Sequence, residues 1–153
     1  MNKWQEQVRD FTRKVINGPT SPAEPAIRDA ELRARLIAEE AAETIAALVG
    51  GPAAANILRE FAYDAEATAE EPSIVEAIDG LCDVIYVALG TAEAIGVDLE
   101  PFFNEVHRTN MLKVGAPKDA NGKVDGHALS RWRPPRIVDL LDAARRAVRG
   151  VGA

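Results

Sequence analysis

The chain has 153 residues, with 24 Asp and Glu against 18 Lys and Arg, giving a formal net charge of −6. That length suits one domain over residues 1–153, and 47% hydrophobic with 27% charged residues excludes intrinsic disorder. The single cysteine, Cys82, excludes an internal disulfide framework and a cysteine-rich zinc site.

Alanine supplies 27 residues while aromatics make up only 5%. Alanine is the best helix former and aromatics favour sheets, so composition leans to an all-α fold. No apolar run approaches the ~20 residues of a membrane span, and MNKWQEQVRDF has no signal-peptide core. The expectation is a cytoplasmic protein that engages neither membrane nor, given its acidic balance, nucleic acid.

Along the chain, Trp4, Val8, Phe11 and Val15 recur at helical spacing and predict a helix over 4–16. NGPTSPAEPA, with three prolines and a glycine, predicts a loop. A second helix is expected from an Asp29 cap to about Val49, stopped by Gly50 and Gly51. Pro52 opens a third, through about Thr68, which Glu70, Glu71 and Pro72 interrupt. Ser73 with Glu76 forms a capping box for a fourth helix that ends near Gly96. Asp98 caps a fifth, with Pro101 in its first turn, running to about Val114. Residues 115–135 form a long loop with a tight turn at Asn121-Gly122, and a last helix covers about Ile137 to Arg149. The reading is an all-α bundle of about five to six helices carrying a long basic C-terminal loop.

Two helices carry acids where apolar residues are expected. At 100° per residue, Glu40 and Glu43 fall on the stripe of Leu32, Leu36 and Ala47, with Glu39 at its margin. The fourth helix has Ile78, Leu81, Val84, Ile85, Val87 and Leu89 on nearly every side, so it reads as a central buried helix. Yet Glu76, Asp79 and Asp83 share an arc of about 60° on it. Unpaired buried carboxylates cost several kcal/mol each, and Arg33 and Arg35 are the only basic residues on the second helix. Mg²⁺, with Mn²⁺ as the alternative, suits such oxygen donors, and two facing helices giving Glu40 with Glu43 and Asp79 with Asp83 would cage it. The i,i+3 and i,i+4 spacings put each pair on one helix face. A solvated face, or pairing with Arg and Lys, is the alternative for these acids. The capping box already explains Glu76, and Cys82 reads as a small core residue because magnesium disfavours thiolate.

From His107 to Arg136 the chain carries seven Lys and Arg against two Asp, a net of +5, while the remainder nets −11. Metal on one side and Lys and Arg on the other is what a polyphosphate substrate requires. A surface loop that balances an acidic body is the alternative. His107 follows Glu105 by two residues rather than three, so the Glu-x-x-His signature of di-iron bundles is absent, and a surface hydrogen-bonding role fits it better than metal ligation.

This ordered set resembles the all-α NTP pyrophosphohydrolase superfamily, the MazG-like proteins. It is nearest the dUTPase-type branch, also labelled phosphoribosyl-ATP pyrophosphohydrolase-like. Glu39, Glu40 and Glu43 in RLIAEEAAE match the family's EExxE motif, and DGLCDVIYV matches its second acidic helix. GTAEAIGVDLEPFFNEVHRTNMLKV resembles the next helix pair, and RWRPP the closing Trp-Arg-Pro element, so the likeness runs from about Phe11 to Leu141. One position departs: the family's ExxD would put Glu at position 80, where this chain has Gly80. Asp79, one residue earlier, can substitute for it, or Glu76 can join the set.

The resemblance implies hydrolysis of a nucleoside triphosphate between the α and β phosphorus, on a deoxynucleotide such as dUTP or dCTP. It further implies Glu40, Glu43, Asp79 and Asp83 as ligands for Mg²⁺, and Glu39 as the carboxylate acting on water. Asn110, Lys113 and Arg133 are the expected phosphate or base contacts. Sites in this family often lie in bundles assembled from two chains, so a homodimer or homotetramer is implied. Two alternatives stand: phosphoribosyl-ATP pyrophosphohydrolase, and a non-catalytic nucleotide-binding helical dimer in which Gly80 has disabled chemistry.

Overall fold

The computed structural model describes residues 2–16, 27, 29–51, 56, 60, 72–119 and 123–150. Among them are five α-helices and no strand: α1 Lys3–Ile16, α2 Ala30–Val49, α3 Ile74–Ile95, α4 Glu100–Met111 and α5 Ile137–Gly150. A 3₁₀ turn, Gly126–Ala128, lies in the loop before α5. The chain is therefore all-α, as composition and periodicity require. The first loop, most of the third expected helix and the Asn121-Gly122 turn lie outside the described residues; of that helix, Asn56 and Glu60 are described and are helical. No helix among the described residues is long and apolar enough to cross a membrane.

The helix ends follow local chemistry. Gly50, at φ 71°, closes α2 with its N–H on the Ala46 carbonyl, a conformation glycine adopts without steric cost. Ser73 Oγ accepts the Glu76 N–H at 3.3 Å, which is the forward half of the expected capping box. Asp98 Oδ1 accepts the Glu100 N–H at 3.0 Å and sets the start of α4. Two expectations need correction. Asp29 stands at the N-terminus of α2 but makes no side-chain cap; it sits at φ 52°, a left-handed conformation that Asp tolerates better than most residues. The helix expected to reach Val114 stops at Met111, because Arg131 Nε donates to the Leu112 carbonyl at 3.1 Å and its Nη2 donates to Val114. A cation there complements the negative end of the helix dipole.

The chain divides into two compact units, Met1–Ala23 with Ile78–Ala153, and Glu24–Ala77. In the first, α1 packs on α4: Trp4 stacks on Phe103 with centroids 4.7 Å apart, Gln7 donates to Asn104 at 3.0 Å, and Lys3 pairs with Glu100. Phe102 and Val106 of α4 line an apolar groove with Ile137 and Leu141 of α5. Glu105, only 7% exposed, ties the two helices polarly. It accepts Arg108 Nε at 2.8 Å and Nη2 at 2.7 Å, and from Arg136 both the backbone N–H, at 3.0 Å, and Nε, at 3.3 Å. These donors hold its carboxyl well below the ordinary value of 4.5, the Arg108 hydrogen bond most of all. In the second unit, α2 turns Ala42 fully inward.

The reading of α3 as a central buried helix does not hold for the single chain. From Val75 to Gly90 every residue is exposed, Ile78 by 53% and Tyr86 by 80%, and of α3 only Ile74, Thr91 and Ala92 are less exposed. A surface apolar on all sides is buried only if something covers each side, and the described residues of this chain cover one end. Contiguous exposed apolar surface of this kind marks an interaction face.

Candidate active site

The acidic pairs sit where helix geometry puts them. On α2 the inward side carries Arg35, Ala38, Ala42 and Ala46, and Glu39, one turn before Glu43, borders it and is half-buried. Glu40 and Glu43 are exposed, so the expected order is reversed: Glu39 turns further inward than its two neighbours. The buried stripe lies one position away from the expected one, because Ala38, Ala42 and Ala46 fill the interior as readily as Leu32 and Leu36, which are half-buried. On α3, Asp79 and Asp83 stand one turn apart, both exposed, with Glu76 exposed a turn earlier.

No lysine, arginine or histidine among the described residues pairs with Glu40, Glu43, Asp79 or Asp83. Among the described residues these acids are thus hard oxygen donors open to a cation or to water. Each helix by itself supplies a pair. No group of three or more His, Cys, Asp or Glu is gathered tightly enough to hold a metal ion among the described residues. Gly80, where the family's glutamate is missing, faces open space, and a Cβ there meets nothing within 4 Å.

The basic loop is more ordered than its composition suggested. Lys118 and Val124 form an antiparallel bridge, and Asp119 donates its N–H to the Lys123 carbonyl at 2.8 Å. Asn110 and Lys113 lie one turn apart at the end of α4, both half-buried. The Lys113 Nζ stands 6.0 Å from the Trp132 ring centroid, and His127 tilts against the same ring at 4.3 Å. Arg133, the next residue, is exposed and turns Nη1 onto the carbonyls of Ser130, at 2.6 Å, and Trp132, at 2.7 Å. Of the three expected substrate contacts, Lys113 stands by the Trp132 ring and Arg133 by the Trp132 carbonyl, with Asn110 one turn from Lys113. His107 is half-buried on α4.

Sequence reasoning passed over the role of Gly126 and treated Trp132 only as part of RWRPP. Gly126 is buried, and a Cβ on it would lie 2.9 Å from both Lys113 Cγ and Trp132 Cδ1. Gly126→Ala therefore overpacks the loop and is expected to lower stability by about 1–3 kcal/mol, read as an earlier thermal unfolding midpoint. An unchanged midpoint would show that the ring and the lysine stem can move apart freely.

Comparison with known families gives the class first: an all-α NTP pyrophosphohydrolase of the MazG-like superfamily. Within it the chain belongs to the phosphoribosyl-ATP pyrophosphohydrolase family, which its residues 8–110 match. No curated protein and no solved structure matches the chain significantly. The family match takes in both acidic helices and ends at Asn110, before the basic loop. Membership makes the protein a nucleotide pyrophosphohydrolase, a hydrolase of phosphoric anhydrides. Family hydrolases of this type generally depend on a divalent metal.

Proposed function

We propose that the protein cleaves the α–β phosphoanhydride of a deoxynucleoside triphosphate such as dUTP or dCTP, releasing the monophosphate and pyrophosphate. The observation that carries this reading is the set of four carboxylates, Glu40, Glu43, Asp79 and Asp83, without a cation partner among the described residues of a chain of this family. Glu40 with Glu43 on α2, and Asp79 with Asp83 on α3, would each offer a pair of ligands to Mg²⁺, or to Mn²⁺ in its place. When bound, the metal supplies charge neutralisation on the phosphates and a lower pKa for bound water. Glu39, half-buried beside the pair on α2, takes the proton of the attacking water. Lys113 and Arg133 bind phosphate oxygens, and Asn110 donates to phosphate or base. The exposed apolar length of α3 supports a homodimer or homotetramer, with a second chain covering that face.

A second substrate is supported by the family match itself: phosphoribosyl-ATP, cleaved at the same anhydride. The experiment is a ranking of kcat/KM over dUTP, dCTP, the remaining NTPs and dNTPs, and phosphoribosyl-ATP, with Mg²⁺ and then Mn²⁺. A clear preference for a pyrimidine deoxynucleotide upholds the first reading. Preference for phosphoribosyl-ATP replaces it with the second.

Gly80→Glu restores the missing ligand position without a clash. Replacing a mid-helix glycine stabilises α3 by about 0.5–1 kcal/mol, offset by a few tenths through repulsion from Glu76 and Asp83. The expected result is a small gain in melting temperature without metal and a larger Mg²⁺-induced rise than in the wild type. An Mg²⁺ response equal to wild type would remove position 80 from the metal site.

A further inference from the structure

The proposal here rests on the pyrophosphohydrolase reading and concerns the loop beyond the family match. We propose that Trp132 is a positioning residue for the substrate's polyphosphate: seated on Gly126, its ring fixes the Lys113 ammonium, and its backbone carbonyl takes the Arg133 guanidinium.

Three observations carry it. Gly126 leaves no room for a side chain: the Lys113 stem and the Trp132 ring both crowd the space a Cβ would take. The lysine stem therefore packs over the 3₁₀ turn at Gly126, and Lys113 is half-buried where most loop lysines sweep solvent. The Lys113 ammonium stands at 6.0 Å from the indole centroid, within reach of the ring's negative face. The Trp132 carbonyl also takes Arg133 Nη1 at 2.7 Å, so one residue orients two cations, one by its ring and one by its backbone. The indole Nε1–H is buried and has no acceptor among the described residues. The ring is thus held by what it packs against, not by a hydrogen bond of its own. A cation whose rotamers are fixed beforehand loses less entropy when it meets an anion, and that difference appears as affinity.

The test uses the full chain with tripolyphosphate and Mg²⁺ as the probe, beside steady-state turnover of the best nucleotide. Trp4→Phe keeps the stack on Phe103 and leaves Trp132 as the only indole, because the chain has two tryptophans. In that background tripolyphosphate is expected to change Trp132 emission, and Lys113→Met to weaken the titration about tenfold. Trp132→Leu keeps apolar bulk and removes the π face; Trp132→Phe keeps the face. The expectation is KM raised about tenfold in Trp132→Leu, with kcat within about twofold, and recovery in Trp132→Phe.

An unchanged KM in Trp132→Leu overturns the proposal. So does a parallel loss of kcat, KM and melting temperature in both variants, which would mean that the ring only holds the loop together. Absence of any tripolyphosphate response in the parent protein overturns it as well. If no nucleotide is turned over, but tripolyphosphate binding, followed calorimetrically, is weakened by Trp132→Leu and kept by Trp132→Phe, the positioning role stands and the proposed activity falls.

Discussion

Glu40→Gln is expected to lower nucleotide turnover at least about 100-fold while leaving helicity unchanged. Removing even an outer partner of a bound metal costs 10–100-fold, so a ligand costs no less. The exchange is nearly isosteric, and Glu40 is exposed on α2 without a cation partner among the described residues, so the fold does not depend on its charge. Circular dichroism and the pyrophosphate release rate measured on the same preparation separate the two effects. Turnover within a few-fold of wild type would remove Glu40 from the site. Loss of helicity would instead assign it a structural role.

The largest stability effect is expected at Glu105, whose buried carboxylate joins Arg108 on its own helix to the segment entering α5. Glu105→Gln keeps the shape but weakens four charge-assisted hydrogen bonds, two from Arg108 and two from Arg136. Arg108 and Arg136 are 46% and 67% exposed, so both regain water and the loss is held to about 2 kcal/mol at neutral pH. The dependence on pH has a definite sign. The folded-state pKa lies below the ordinary 4.5, so this stabilisation is complete above that value and fades as pH falls toward the folded-state pKa. Urea unfolding from pH 7 down to pH 3 should therefore show wild type and variant converging on the acid side. A gap that stays constant across that range would mean the charge of Glu105 contributes nothing.

The fold was legible where local rules act alone. Alanine-rich periodicity, the Ser73 cap and the glycine stop at Gly50 fixed helix positions to within a few residues. The end of α4 was not, because Arg131 reaches Leu112 from 19 residues away. Glu105 shows the same limit. Its i,i+3 spacing to Arg108 is visible in the sequence, but its bond to Arg136 spans 31 residues. The acidic pairs were found because carboxylates interrupt a helix pattern, whereas the inward turn of Glu39 was missed because alanines carry little directional signal. Trp132 and Gly126 come together only through the loop's path, which composition does not encode.

The central claim is cleavage between the α and β phosphorus. It is tested most directly by following one nucleotide, the best substrate of the panel, by ³¹P NMR with Mg²⁺. The account predicts nucleoside monophosphate and pyrophosphate in equal amounts, with no orthophosphate, and no products when Glu40 is replaced by Gln. Orthophosphate with a nucleoside diphosphate, or equal turnover in Glu40→Gln, would contradict it.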